Sequence, residues 1–244
     1  MGKRLALAAI GAAALTAAAA GAVYVAYLPL KRRLPSESRT AVDGVTTIAD
    51  AVDACRRTGM RGWGLVAYAQ NLAARKFTYS RLNTWDSPSR AFERGIGYCE
   101  QQARALKRTY DALGIESRLV MARRCRFPPE IIDGMPWAGG VTPHAWLRVK
   151  IHGEERDVCP GSPNNRPGVT HFQPLSKVRP LRRWMLPWTH LGSSIENIRR
   201  DTRARRQFLR ASVAAQSAQP FPSEGKMAEG WMRSASDMTA RSPA

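Results

Sequence analysis

Two residues of this 244-residue chain have the types and neighbours for covalent chemistry: Cys99, in Gly97-Tyr98-Cys99, and His144, which opens His144-Ala145-Trp146 further along. A thiol attacks as its thiolate, so a nucleophilic cysteine needs a positive environment, a base, or both. The start of a helix offers the first, through unpaired backbone N–H groups and the positive end of its dipole. Among His144, His152, His171 and His190, His144 is the candidate base because it heads a strand pattern. The plainer reading of Cys99 alone is a small buried hydrophobe on an apolar stripe.

The positioning elements are legible as patterns. From Cys99, the residues Ala103, Leu106, Tyr110 and Leu113 recur at helical spacing, and Gly114 follows where a left-handed residue stops a helix. Ser87-Pro88 opens a shorter helical turn through Phe92, with Gly95 and Gly97 as punctuation. Earlier, Ile48, Ala51, Val52 and Cys55 behind Thr46-Thr47, and then residues 63 to 75, predict two more helices. Strands follow: residues 118–121, then 144–151 with one face apolar, a turn at His152-Gly153-Glu154-Glu155, and a return over 156–159 that Pro160 ends. Residues 126–140 read as a loop bordering a cleft, and 160–187 as similarly broken. Helices first and strands after predict an α+β domain.

Gly97, Cys99, Ala103, Leu106, Leu113-Gly114-Ile115 and Arg118, followed by His144-Ala145-Trp146, resemble the transglutaminase-like superfamily of papain-type cysteine enzymes. With Phe77-Thr78-Tyr79 and Ser87-Pro88, the resemblance spans residues 60–162. It implies a cysteine-bearing helix packed on a small antiparallel sheet. It also implies that Cys99 attacks a carboxamide carbonyl of a protein or peptide, that His144 carries the proton, and that the acyl-enzyme is released to water or an amine. Hydrolysis ranks slightly ahead of crosslinking, since no amine-acceptor site is evident, and no cofactor is implied. Two other classes compete: a catalytically silent domain kept as a binding or scaffold module, and a basic polyanion- or nucleic-acid-binding protein.

The resemblance also implies a third catalytic group. In this family the strand after the histidine ends in Asp-Pro; here Cys159-Pro160 stands at that place and Asp157 lies two residues earlier. Side chains alternate along a strand, so Asp157 and Cys159 share a face, and Asp157 becomes the candidate acid through a modest register shift. Its competing role is an exposed ion pair with Arg148 or Arg156. An oxyanion donor would come from Trp63, Gln70, Asn83 or Trp85. Cys99, His144, Asp157 and Cys159 are also zinc-ligand types, but the chain has neither of the usual close Cys–Cys or His–His spacings, so no metal is expected.

Residues 5–30 carry no charge and lie between Lys3-Arg4 and Lys31-Arg32-Arg33, a run long enough to span a bilayer. Residues 1–33 are therefore read as a single-pass signal anchor with its side open, the protein being secreted if cleavage near Ala18 to Ala20 removes it. Residues 34–210 make the transglutaminase-like domain, and 211–244 a disordered tail. Of the net charge of +19, the domain's excess is concentrated in three clusters: Arg118, Arg123, Arg124 and Arg126; Lys177, Arg179, Arg182 and Arg183; and the arginines of 199–210. Such patches attract polyanions, an anionic membrane surface among them. No zinc finger, RNP-type strand or helix-turn-helix pattern accompanies the charge, which argues against specific nucleic-acid binding. Cys125 and Cys159 each close a strand pattern and are either bridged to one another or free, and the state of Cys55 is left open.

Overall fold

Thr47 starts the first helix of the domain, α1 (Ile48–Arg57), through a reciprocal box: its hydroxyl accepts from the Asp50 N–H, and the Asp50 carboxylate accepts from the Thr46 and Thr47 N–H groups at 3.0 and 2.7 Å. α2 (Gly62–Lys76) and β1 (Thr78–Tyr79) follow. Ser87 then caps α3 (Pro88–Arg94), which ends on Gly95 at φ 68°. β2 (Ile96–Gly97) pairs in parallel with β1, so the chain arrives at Cys99 already fixed in register. α4 (Cys99–Ala112) ends as its pattern predicts: Gly114 is left-handed at φ 73°, and the Ile115 N–H reaches back to the Tyr110 carbonyl at 2.9 Å. The computed structural model describes residues 44–80, 83, 85–132 and 135–192, with single residues and short stretches between 11 and 42 and between 194 and 206.

The strands come after the helices. β3 (Ser117–Phe127), β4 (Glu130–Ile132), β5 (Met135–Trp137), β6 (Gly140–Ile151), β7 (Glu154–Val158), β8 (Gln173–Pro174) and β9 (Arg179–Pro180) are followed by a short 3-10 turn, Arg183–Met185. Five of them form an antiparallel sheet in the order β7-β6-β3-β8, with β9 also on β3. The region 126–140, expected to be loop, is instead the end of β3, the start of β6 and a separate β4–β5 hairpin. Its prolines are tolerated because Pro128 and Pro129 fall between strands and Pro136 sits in a two-stranded ribbon, where a missing N–H can face outward. The hairpin turn is also tighter than expected: His152 and Gly153, at φ 48° and 86°, make the reversal alone, and β7 starts at Glu154.

Two cores pack against the sheet. Val66, Ala69, Leu106 and Tyr110 from the helices meet Leu147, Val149 and Val158 on one face. Val120, Trp146, Cys125, Phe127, Cys159 and Phe172 form another cluster, built from the alternate positions of the strands. β6 is therefore buried on both faces from His144 to Leu147, and the expected half-buried alternation survives only beyond it. All four cysteines are free thiols, Cys125 and Cys159 sharing a cluster without a bridge. Residues 1–201 form one compact unit; of 202–244 the described residues Thr202, Arg203 and Arg206 are helical. The expected anchor lies mostly, and the expected tail wholly, outside the described residues. Among the described residues no helix is long and apolar enough to cross a membrane.

Candidate functional site

Three buried glutamine contacts set the entry to α4. Gln101 accepts the Tyr98 N–H at 2.9 Å and donates to the Asp86 carbonyl at 2.7 Å, while Gln102 donates to the Gly97 carbonyl at 2.9 Å. A Cβ on Gly97 would stand 3.0 Å from the Phe77 ring, so the approach to the helix is closely packed. Cys99 is consequently the first residue of α4, with its thiol turned inward and nearly covered.

Burial, more than the helix terminus, sets the state of that thiol. Loss of water pushes Cys99 up to about 12, against hydrogen bonds from the Ala145 N–H, the Tyr98 side chain and the Glu100 N–H; the Glu100 charge adds to the rise. A helix N-terminus offers roughly 0.3–1 kcal/mol to an anion, less than the cost of stripping water from a thiolate. The depressed thiol expected from the helix position is therefore reversed. At neutral pH Cys99 is a thiol.

His144 lies on β6 beside the Ala145 N–H that reaches Cys99. Its ring packs edge-on against Phe172 and Phe127, with centroids 4.4 and 5.0 Å away. Burial drives its pKa down to about 3, with a contribution from His171, whose own burial lowers it to about 4. The polar partner of its Nε2 is Cys159 Sγ, at 3.4 Å. That sulfur also accepts the Gly161 N–H at 3.4 Å, and the Cys159 carbonyl is held by Gln70 and Asn165 at 3.0 and 2.9 Å. Burial raises the Cys159 thiol to about 12.

Asp157 takes the competing role anticipated for it. Its carboxylate accepts from Arg148 Nε at 2.9 Å and from the Arg148 guanidinium again at 3.4 Å, across the β6–β7 pairing that sets the two opposite each other. The sheet keeps the register in which Cys159, rather than Asp157, faces the histidine. The physical reason is the tight His152-Gly153 turn, which leaves no slack for a shift.

Cys99 and His144 line one cavity of about 520 Å³, together with Tyr98, Glu100, Arg123 and Trp188. Glu100 is buried in its wall and ties down the helical segment 186–192: it accepts from His190 Nε2 at 2.8 Å, Thr189 at 3.3 Å and Arg104 at 3.3 Å. Of the four anticipated oxyanion donors, Trp63 donates to Glu154, Gln70 to the Cys159 carbonyl and Asn83 to the Ile96 carbonyl, while Trp85 meets the His190 ring edge-on. None of them is among the described residues lining the cavity. Tyr98, not singled out from the sequence, both lines it and hydrogen-bonds Cys99. Its position directly before the cysteine was the available signal. Glu100, His171 and His190 had none that separates them from ordinary surface groups. Among the described residues, no group of three or more His, Cys, Asp or Glu side chains is arranged to hold a metal.

Residues 55–157 match the family model described as the transglutaminase-like superfamily. No curated protein matches the chain. Among solved structures, the crystal structure of a TGase is similar over 46% of this chain and 30% of its own, at 15% identity and a TM-score of 0.35, so this chain spans under a third of that protein.

Proposed function

We propose that the transglutaminase-like domain is a thiol enzyme acting on protein or peptide carboxamides, with Cys99 as nucleophile and His144 as base. The observation carrying this reading is the single cavity that Cys99 and His144 both line. With Nε2 against Cys159, Nδ1 is the ring nitrogen left to take a proton. Both groups start neutral, so the thiol loses its proton to His144 as sulfur attacks the carbonyl carbon. The imidazolium then gives that proton to the departing nitrogen, and a thioester remains. Water or an amine, deprotonated in turn by His144, releases the acyl group. Tyr98 is the proposed donor to the developing oxyanion. Cys159 Sγ orients the ring as an acceptor, more weakly than a carboxylate would.

The test is iodoacetamide labelling of the full chain followed by peptide mapping. The expected result is an adduct at Cys99 well ahead of Cys55, Cys125 and Cys159, with a rate that falls at least about tenfold in His144→Ala. A Cys99 no faster than the other buried thiols sinks the enzyme reading. It would favour the second one, a silent scaffold, for which the thiol in the acid's place is the specific support. The charge-free run 5–30 further supports a membrane anchor, decided by sequencing the N-terminus of the mature protein.

A further inference from the structure

The cavity at Cys99 adjoins another depression. A second depression of about 400 Å³ shares Met121, Arg123, Trp188 and Thr189 with it. Lys177, Arg179, Trp184 and Met185 also line it. Two features build it. A bulge in β3 between Ala122 and Cys125 sets Arg123 and Arg124 against the single Pro143 of β6 and re-aims the strand edge. The chain from β8 to β9 then lies along that edge, Cys125 opposite Pro174 and Met121 opposite Arg179, with Ser176 accepting the Arg124 N–H at 3.1 Å between them. Two basic clusters distant in sequence thus meet in one groove.

These cations differ from those elsewhere on the sheet. Arg118, Arg148 and Arg156 each pair with a carboxylate within 2.7 to 2.9 Å. Among the described residues, Arg123, Lys177 and Arg179 pair with none, and no acidic residue lines the second depression. In the same lining Trp184 and Trp188 are 66% and 57% exposed, so the depression joins apolar aromatic surface to unpaired cations. Complementarity selects a ligand with a negative group set beside an apolar one. Because Met121, Arg123, Trp188 and Thr189 line both depressions, a ligand in the second lies next to a carbonyl presented to Cys99. A lipid headgroup would satisfy the cations but brings no carboxamide.

We propose that this groove is the acyl donor's specificity subsite, taking an acidic peptide segment that carries an apolar side chain close to the scissile amide; the assignment rests on the function proposed above. The test uses the full chain with Cys99→Ala and fluorescence anisotropy of labelled glutamine peptides, one flanked by Glu and Phe, the other by Lys and Phe. The acidic peptide is expected to bind at least about tenfold tighter. That margin should shrink between about 50 and about 200 mM salt, and should invert when Lys177→Glu and Arg179→Glu are combined. Both residues are exposed, so the variant keeps its core. Equal affinities, a preference unchanged in the variant, or binding to phosphatidylglycerol vesicles but to neither peptide would each overturn the proposal. Labelling of Cys99 judges the chemistry separately: a reactive Cys99 with no peptide preference overturns the groove alone, and an unreactive one with the preference intact overturns its assignment to an acyl donor.

Discussion

Asp157 and Cys159 are two residues apart at the end of one strand, and they live in different electrostatic worlds. Asp157 stands opposite Arg148, both side chains 29% exposed, in an ion pair that water screens. Cys159 is 2% exposed and meets a neutral imidazole, a backbone N–H and aromatic rings. A carboxylate at the first position finds a cation and solvent. At the second it would find neither unless His144 became charged. The contrast teaches that His144 has no carboxylate beside its Nε2, so in the proposed mechanism it would gain and lose its proton inside a low-dielectric pocket.

The largest expected effect comes from erasing that contrast. Cys159→Asp places an anion beside Nε2 and raises the pKa of His144 from about 3, which favours an imidazolium–thiolate pair with Cys99. Iodoacetamide labelling of Cys99 at pH 7 should accelerate at least about tenfold, with its pH profile moved to lower pH. A profile that stays where it is would show that position 159 does not govern the histidine.

The neutral end of the strand should also be the acid-sensitive one. His144 and His171 titrate at about 3 and about 4 in the folded chain, against an ordinary value of 6.5. Below pH 6.5 the unfolded chain takes up protons that the folded chain refuses, so stability falls as pH drops toward 3 and is flat in these groups above 6.5. Each imidazole contributes at most about 1.4 kcal/mol per pH unit in that window. Urea denaturation across it should show the fall, and His171→Gln should remove close to half of the slope. A slope that this variant leaves intact would place the acid sensitivity outside His171.

What could be read in advance follows the reach of each interaction. The Thr47 and Ser87 caps, the Gly114 stop and the Cys99 face of α4 depend on residues within a turn or two of one another, and they appear in the structure where the pattern sets them. His144 on its strand was equally local. The acid's place was legible by counting but was masked by chemistry, because an aspartate two residues away looked the better catalyst. Burial reversed the expected thiolate, since Ala145 on β6 and segment 186–192, which line the cavity with Cys99, lie far from it in the chain. The groove was invisible for the same reason: its two basic clusters join only through a bulge and short edge strands that have no periodicity to reveal them.

The smallest expected effect is the sharpest check on the comparison. Asp157→Asn removes one partner of an exposed pair, so its cost in urea denaturation should stay within about 1 kcal/mol. Arg148 is 29% exposed, so water can reach it and it is not stranded. If the strand keeps its register, the labelling rate of Cys99 should not change, because the His144 ring answers to Cys159. A fall in that rate approaching the loss in His144→Ala would mean that the hairpin slips to bring the carboxylate to the imidazole. The tight His152-Gly153 turn argues against such slippage, since bringing Asp157 to the place of Cys159 moves β7 by two residues and would put Arg156 where Val158 is now buried in the core. The pair of variants, Asp157→Asn unchanged and Cys159→Asp accelerated, therefore separates a site whose third group is a thiol from one whose acid has merely moved.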